Sequence, residues 1–383
     1  MDTHNTRVGC PNLDRLPKLG FLGVGWIARL RLKALLESHE AEITALADPS
    51  EEALRNTGVL VPEARCGSSL EWLLDQPLDG LVISTPSALH AEHSIAALEA
   101  GMAVFCQKPL ARTRPEVETV LDAARAANRL LGVDLSYRWV AGVREIKRRI
   151  RQGELGLMYA ADLVFHNVYG PDKPWYRTLD LAGGGCVMDL GIQLIDLLLW
   201  IFYDASVVDI DSRLYSGGRS LDLPAEQVED YASVRLDLDN GLSARLACSW
   251  NLSAGRDCLI GATFYGTGGA MALSNVNGSF YDLRVEEFKG AGVQSIHALD
   301  NAWGGRALLD WARHLARDGR YDPVVESIGE VAAVIDGIYG RRTKSHPPAS
   351  MTAVASAEGK RSVMAEWLSN LQNLRHAGLR VPS

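Results

Sequence analysis

Through the first third of the chain, short apolar runs alternate with longer stretches of mixed polar and apolar residues. Residues 19–22, 42–47, 78–84, 102–106 and 130–135 read as strands. Their near-continuous apolar character is that of strands covered on both faces. Between them, residues 27–36, 51–56, 70–74, 90–100 and 114–128 read as helices, the fourth stopped by Gly101. Strands alternating with helices at this spacing predict a doubly wound parallel sheet. The rhythm changes after Tyr137. A helix at 142–152, a strand at 158–169 and a helix at 188–202 lead into six β-like runs at 206–215, 230–238, 242–250, 257–265, 270–274 and 279–288. Turn signals such as Asp239-Asn240-Gly241 separate them as hairpins require. This half predicts an α+β domain with an open, mainly antiparallel sheet, followed by helices at 305–317 and 327–341. The expected organisation is a flexible leader at 1–17, an α/β domain at 18–136, the α+β domain at 137–345, and a tail at 346–383 with one amphipathic helix at 362–376.

Composition narrows the class. At 383 residues the chain suggests two domains or one with a large extension, and at 47% hydrophobic and 22% charged it has the balance of a soluble globular protein. A net charge of −8 gives no basic footprint for nucleic acid. No apolar run reads as long enough to span a bilayer, since the cluster at 194–203 is short and interrupted by Asp196. The six cysteines form no C-x-x-C pair and suggest a reduced, cytoplasmic protein; no metal site is expected.

The most informative stretch is Lys-Leu-Gly-Phe-Leu-Gly-Val-Gly-Trp-Ile-Ala at 18–28, a strand, a glycine turn and the start of a helix. In that context Gly23 makes a tight turn, Gly25 lets a pyrophosphate approach the backbone, and Ala28 permits close helix–strand packing. Trp26 and Ile27 open the helix whose N–H groups face the phosphates. About twenty residues on, Asp48 ends the second strand, where a carboxylate accepts hydrogen bonds from a ribose. The pattern predicts a dinucleotide-binding Rossmann domain. Asp48 favours NAD over NADP, because a 2′-phosphate would meet its charge and only Arg55 stands near to offset it. Ligands of such sheets lie at the carboxyl ends of the strands. That places Thr85-Pro86 and Gln107-Lys108-Pro109 beside the phosphate turn and Asp48 as one wall, with His90, which opens the following helix, as a further candidate cofactor-binding residue.

These residues, with Ala100-Gly101, Lys108-Pro109-Leu110-Ala111, Arg138 and Gly184-Gly185-x-x-x-Asp189-x-Gly191, resemble the Gfo/Idh/MocA family of nicotinamide-dependent sugar and cyclitol oxidoreductases. The similarity runs from Lys18 to about Arg342. It implies a C-terminal domain whose open sheet face joins copies into a homodimer or homotetramer, a cis Pro109, and an active-site aspartate at Asp189. Two positions depart from the family pattern. Gln107 stands where glutamate is usual, and Gln193 stands where the family carries an active-site histidine.

Oxidising a carbinol needs a hydride acceptor and a base for the hydroxyl proton. Lys108 is the expected base, with Asp189 orienting a hydroxyl or holding the lysine. Gln193, one turn further along the same helix, can meet the same substrate but does not titrate near neutral pH. Asp196 is expected to be structural. Arg138, His166, Trp175, Tyr176 and Arg177 are the candidate lining of a sugar site. The expected function is hydride transfer between NAD(P) and a secondary alcohol or ketone of a sugar, cyclitol or glycoside. The alternatives are a non-catalytic cofactor- or sugar-binding protein and an NAD-dependent glycoside hydrolase.

Overall fold

The computed structural model describes residues 15–296 and 304–341. Most of the expected leader and the expected tail helix at 362–376 lie outside the described residues.

The first sheet is built from β1 (Lys18–Leu22), β2 (Glu42–Ala47), β3 (Arg65–Gly67), β4 (Gly80–Ile83), β5 (Ala103–Cys106) and β6 (Leu131–Val133). Interleaved with them are α1 (Trp26–Ser38), α2 (Glu51–Gly58), α3 (Leu70–Leu74), α4 (Ser87–Glu99) and α5 (Arg114–Ala127). The strand order is β3-β2-β1-β4-β5-β6 and every pairing is parallel. The order reverses between β1 and β4, and the crevice outside their carboxyl ends is where such sheets take ligands. Leu19, Phe21, Leu46, Val82 and Phe105 are buried on this sheet, as two-sided coverage requires.

After α6 (Ala141–Arg151), the second sheet begins with β7 (Met158–Asn167). Helices α7 (Leu179–Ala182) and α8 (Ile192–Ile201) follow, then β8 (Val207–Ser216), β9 (Arg219–Ser220), β10 (Tyr231–Leu238), β11 (Ser243–Ser249), β12 (Cys258–Gly266), β13 (Gly269–Asn275), β14 (Leu283–Lys289) and β15 (Gly292–Ile296). Helices α9 (Arg306–Arg317) and α10 (Ser327–Ile338) complete the described chain. The nine strands run β15-β14-β13-β12-β7-β11-β10-β8-β9. One pairing, β7 with β11, is parallel and the others are antiparallel. β3, β9 and β15 were not among the expected strands. All three are short and polar, so no run of apolar side chains marks them.

The segment expected to be one helix at 188–202 is instead a π-turn at Val187–Gly191 continuing into α8, and the N–H of Ile192 reaches back to the carbonyl of Val187. Such wide turns inside helices are frequent at functional sites. The expectation that no apolar stretch is long enough to span a bilayer needs correction. Leu179–Ile201 passes on length and hydropathy, but 78% of its most apolar window is buried inside the protein, the environment of a core helix. Arg31 of α1 joins the two halves of the first sheet's carboxyl edge, with its Nε donating to Asp134 Oδ2 at 2.6 Å.

Candidate functional site

The glycine turn after β1 has the form the motif demands. Gly23 sits at φ +80°, and a Cβ there would come within 2.7 Å of the Ser84 carbonyl, so only glycine lets the turn pack on β4. Around Gly25 nothing lies within 4 Å of where a side chain would start. No side chain caps α1 at Gly25, and its first turn carries no acidic residue. Its first N–H groups are therefore presented to the crevice together with the positive end of the helix dipole. Trp26 is exposed beside them and Ile27 is half-buried. The Asp48 carboxylate accepts from Val24 N–H and from Ser50 N–H, both at 2.8 Å, and so ties the glycine turn to the end of β2. Each of its oxygens keeps a second lone pair for a hydroxyl. Buried Thr57, not singled out by the sequence, donates to the Val24 carbonyl at 3.1 Å and holds the same turn from α2. Open space over Gly25, uncapped helix N–H groups and a carboxylate at the neighbouring strand end fit a dinucleotide. Gly23, Gly25, Trp26, Ile27 and Asp48 are the residues that would hold it.

At the end of β5 the Lys108–Pro109 peptide is cis, as the resemblance implied. Lys108 Nζ donates to Asp189 Oδ1 at 2.7 Å and to the Asp189 carbonyl at 2.6 Å. The other carboxylate oxygen of Asp189 accepts from Trp250 Nε1 at 3.0 Å. Trp250 follows β11 and is buried; nothing local in the sequence marked it as a site residue. A solvated surface lysine is thus ruled out for Lys108. It is partly buried and held by an anion, which Asp189 supplies where Gln107 does not. Gln107 instead turns its Oε1 onto the Lys108 N–H at 3.1 Å.

A narrow cavity of about 10 Å³, lined by Ser87, Lys108, Pro109, Tyr176, Met188 and Asp189, surrounds this pair. Tyr176 is carried on a short turn at Pro174–Arg177 and stacks on Trp175 with centroids 3.8 Å apart. Its edge meets Trp250. Burial, and then the nearby Asp189, push its phenol well above the usual tyrosine range, so it stays a hydrogen-bond donor. Buried Glu229 anchors the wide turn from behind, accepting from Gly185 N–H at 2.9 Å, Val187 N–H at 2.8 Å and the Tyr339 hydroxyl at 2.9 Å. The glycine pair is explained by this contact. A Cβ on Gly185 would lie 1.8 Å from the Glu229 carbonyl oxygen, and one on Gly184 would lie 2.1 Å from the Tyr339 hydroxyl.

Gln193 is buried, 8% exposed. Its Nε2 reaches the Asp134 carbonyl at a long 3.5 Å, and no donor among the described residues reaches its Oε1. Three expectations need correction. His90 does not line the cofactor crevice. It is 1% exposed, with Nδ1 2.6 Å from the Pro109 carbonyl and Nε2 2.6 Å from the Thr85 carbonyl, so it links two strand-end loops from beneath. Burial pushes its pKa down against the opposing pull of the two carbonyls. His166 points away from the site. Ala161, Leu163 and Phe165 face α8, and strand alternation sends His166 to the open face of the sheet, against Ser249 Oγ at 2.8 Å and stacked on Tyr231. Arg138 is engaged by the protein itself. Both arms of its guanidinium close on Asp196, the Nε at 2.8 Å from Oδ2, and it reaches Ser327 Oγ at 3.2 Å. Asp196 is structural, as expected. Thr85 Oγ1 pairs with His93 Nδ1 at 3.1 Å, and Pro86 precedes α4 at the crevice edge. Arg177 is exposed and lines a second, larger cavity that Trp250 also borders.

Comparison with known proteins agrees with this construction. Residues 18–135 match the model of an oxidoreductase family with an NAD-binding Rossmann fold, and residues 143–272 match the GFO/IDH/MocA C-terminal domain. The chain is 31% identical over 188 residues to 1,5-anhydro-D-fructose reductase of Ensifer adhaerens, covering 48% of this chain and 56% of that one. It is 25% identical over 248 residues to glucose-6-phosphate 3-dehydrogenase of Bacillus subtilis strain 168, covering 63% and 70%. Thus it spans little more than half the length of the first relative. Among solved structures, levoglucosan dehydrogenase in complex with NADH and levoglucosan superposes with a TM-score of 0.73 at 20% identity, over 85% of this chain and 97% of that one, a likeness of fold. With both halves matched in order, and the phosphate turn and the lysine–aspartate pair built as described, the chain belongs to the Gfo/Idh/MocA oxidoreductase family.

Proposed function

We propose that this protein transfers a hydride between NAD and a secondary alcohol or ketone of a sugar, cyclitol or glycoside, with Lys108 handling the proton. The observation that carries this reading is Lys108 Nζ, held at 2.7 Å from the Asp189 carboxylate at the carboxyl edge of the Rossmann sheet. Bound nicotinamide supplies the two-electron hydride acceptor or donor. In the oxidising direction Lys108 Nζ takes the hydroxyl proton, and the Asp189 carboxylate stabilises the ammonium that results. Trp250 and the carbonyl contact fix where that pair stands. Tyr176 donates a hydrogen bond from the cavity wall and excludes water. Gln193 presents Oε1 as an acceptor for a second substrate hydroxyl, a partner that no described residue provides. A cavity of about 10 Å³ holds roughly one water, so a sugar ring enters only if the site opens. The relatives' printed names, which include a D-glucoside 3-dehydrogenase and an inositol 2-dehydrogenase, support this substrate range.

A non-catalytic sugar-binding scaffold is the second reading, favoured by the replacement of a titratable side chain with Gln193. The deciding experiment incubates the protein with cyclitols, aldoses and glycosides plus NAD or NADP and follows nicotinamide absorbance. Turnover of any member supports the first reading; binding without turnover across the panel leaves the second. Release of a free sugar from a glycoside would identify the hydrolase instead. The proposal extends to a cytoplasmic location, consistent with cysteines that form no disulfide among the described residues, and to a homodimer or homotetramer through the open face of the second sheet.

A further inference from the structure

Asp189 stands on the wide turn, and three successive N–H groups where the chain enters that turn are all taken by one residue, Glu229. Gly185 N–H donates to its Oε2 at 2.9 Å, Cys186 N–H to its main-chain carbonyl at 3.1 Å and Val187 N–H to its Oε1 at 2.8 Å. No side chain at the start of the turn caps these groups, as a local serine, threonine or aspartate does in most helices. The cap comes instead from 42 residues further along the chain. Glu229 is fully buried, so water does not replace it, and its carboxylate faces the positive end of the helix dipole. The next residue acts on the other side of Asp189. The Asp230 carbonyl accepts from Trp250 N–H at 2.7 Å, and Trp250 Nε1 is the donor to Asp189 Oδ2. Gly185, fixed by Glu229, accepts from Asp189 N–H at 2.9 Å. Asp189 then closes on Lys108 Nζ through Oδ1 and through its own carbonyl. Two adjacent residues thus set both the main chain and the side chain of Asp189, and neither lines the cavity around Lys108.

Building on the hydride-transfer reading, we propose that Glu229 is a positioning residue for the proton-handling lysine. A lysine amine rides on a flexible four-carbon stem, so its place is set by what holds it. Here Asp189 holds it, and Glu229 holds the turn that carries Asp189. Glu229 touches no reacting atom; it acts on the reaction through the alignment of Lys108.

Glu229→Gln tests this. The amide keeps the shape of the side chain but turns an NH2 group onto one of the main-chain N–H donors, so the turn loses a bond whichever way the amide lies. With a substrate that the wild type turns over, kcat should fall about 10²-fold, the cost of displacing a catalytic group by about 1 Å. KM and NADH affinity should stay within about twofold, because the lost alignment matters only in the transition state. In a Lys108→Ala background the same change should lower kcat no further, since residues that act as one unit are not additive. A second readout needs no turnover. Labelling of Lys108 by acetic anhydride, followed by mass spectrometry, should quicken severalfold in Glu229→Gln as the amine is released, with exposed Lys33 and Lys289 labelled at the wild-type rate. If Glu229→Gln does not fold, Glu229→Asp takes its place, keeping the buried charge but withdrawing it by one methylene, with the same pattern expected. Wild-type kcat and labelling in the variant that folds overturn the positioning role. A further loss of kcat on top of Lys108→Ala also overturns it, because Glu229 would then serve the fold at large. Absence of turnover by the wild type with every compound and either cofactor overturns the hydride-transfer reading, and the labelling alone then decides whether Glu229 holds the lysine.

Discussion

Replacing Gln193 with methionine separates a packing role from a substrate-binding role. Gln193 Oε1 is buried without a donor among the described residues, and Nε2 has only the long contact to the Asp134 carbonyl. A buried polar group left unsatisfied costs about 1–3 kcal/mol. Methionine has nearly the same length and volume and carries no such group, so the ligand-free variant should be more stable by an amount of that order. At about 2–4 °C per kcal/mol for a domain of 150–250 residues, the rise in melting temperature is measurable by scanning calorimetry. If a substrate hydroxyl donates to Oε1, the variant loses that bond when substrate binds. The same 1–3 kcal/mol then appears as a KM about 5- to 150-fold higher, at 1.4 kcal/mol per factor of ten. A melting temperature that rises while substrate binding weakens is the signature of an acceptor kept open for a ligand. A variant with unchanged KM and kcat would refute the reasoning, since Gln193 would then be a packing residue. A lowered melting temperature would show that Oε1 is satisfied within the protein.

Lys108→Ala should reduce kcat by about 10²- to 10⁴-fold, the usual contribution of a positioned acid or base, with NADH affinity by fluorescence titration nearly unchanged; retained kcat would move the base elsewhere. NADH should bind more tightly than NADPH because Asp48 stands at the ribose end of the crevice, and Asp48→Ser should narrow the gap; tighter NADPH binding by the wild type would contradict this. Arg138→Met leaves Asp196 buried without its cation and should cost about 3–5 kcal/mol in urea unfolding, while Arg138→Met with Asp196→Leu should recover much of that loss. The folded-state pKa of His90 lies below its ordinary 6.5, so its share of stability is present above pH 6.5 and is lost as pH falls from there toward the folded value. His90→Asn should flatten the fall in melting temperature over that window, and an unchanged slope would assign it to other groups.

Local spacing was enough to determine the Rossmann half. Gly23 and Gly25 follow an apolar strand within five residues, and Asp48 ends the next strand, so turn, helix and carboxylate belong to one βαβ unit whose geometry neighbouring residues dictate. The apolar runs and turn signals likewise fixed the mainly antiparallel second sheet, because a strand's alternation and a hairpin's turn are short-range properties. The combination of Lys108-Pro109 with Asp189 pointed to the lysine–aspartate pair, but their meeting spans 81 residues and is created only when α8 and its wide turn pack against the carboxyl edge of the first sheet. Trp250 and Glu229 were invisible for the same reason. Trp250 lies 61 residues from Asp189 and Glu229 lies 42 from Val187 and 110 from Tyr339, and nothing near either in sequence records the contact. The tertiary structure also chose among residues of equal chemical promise. Strand register turned His166 onto the open face, a buried carboxylate claimed Arg138, and two backbone carbonyls claimed His90. Side-chain type determines what a residue can do; which partner comes within 3 Å is decided by how the two sheets and the helices between them pack.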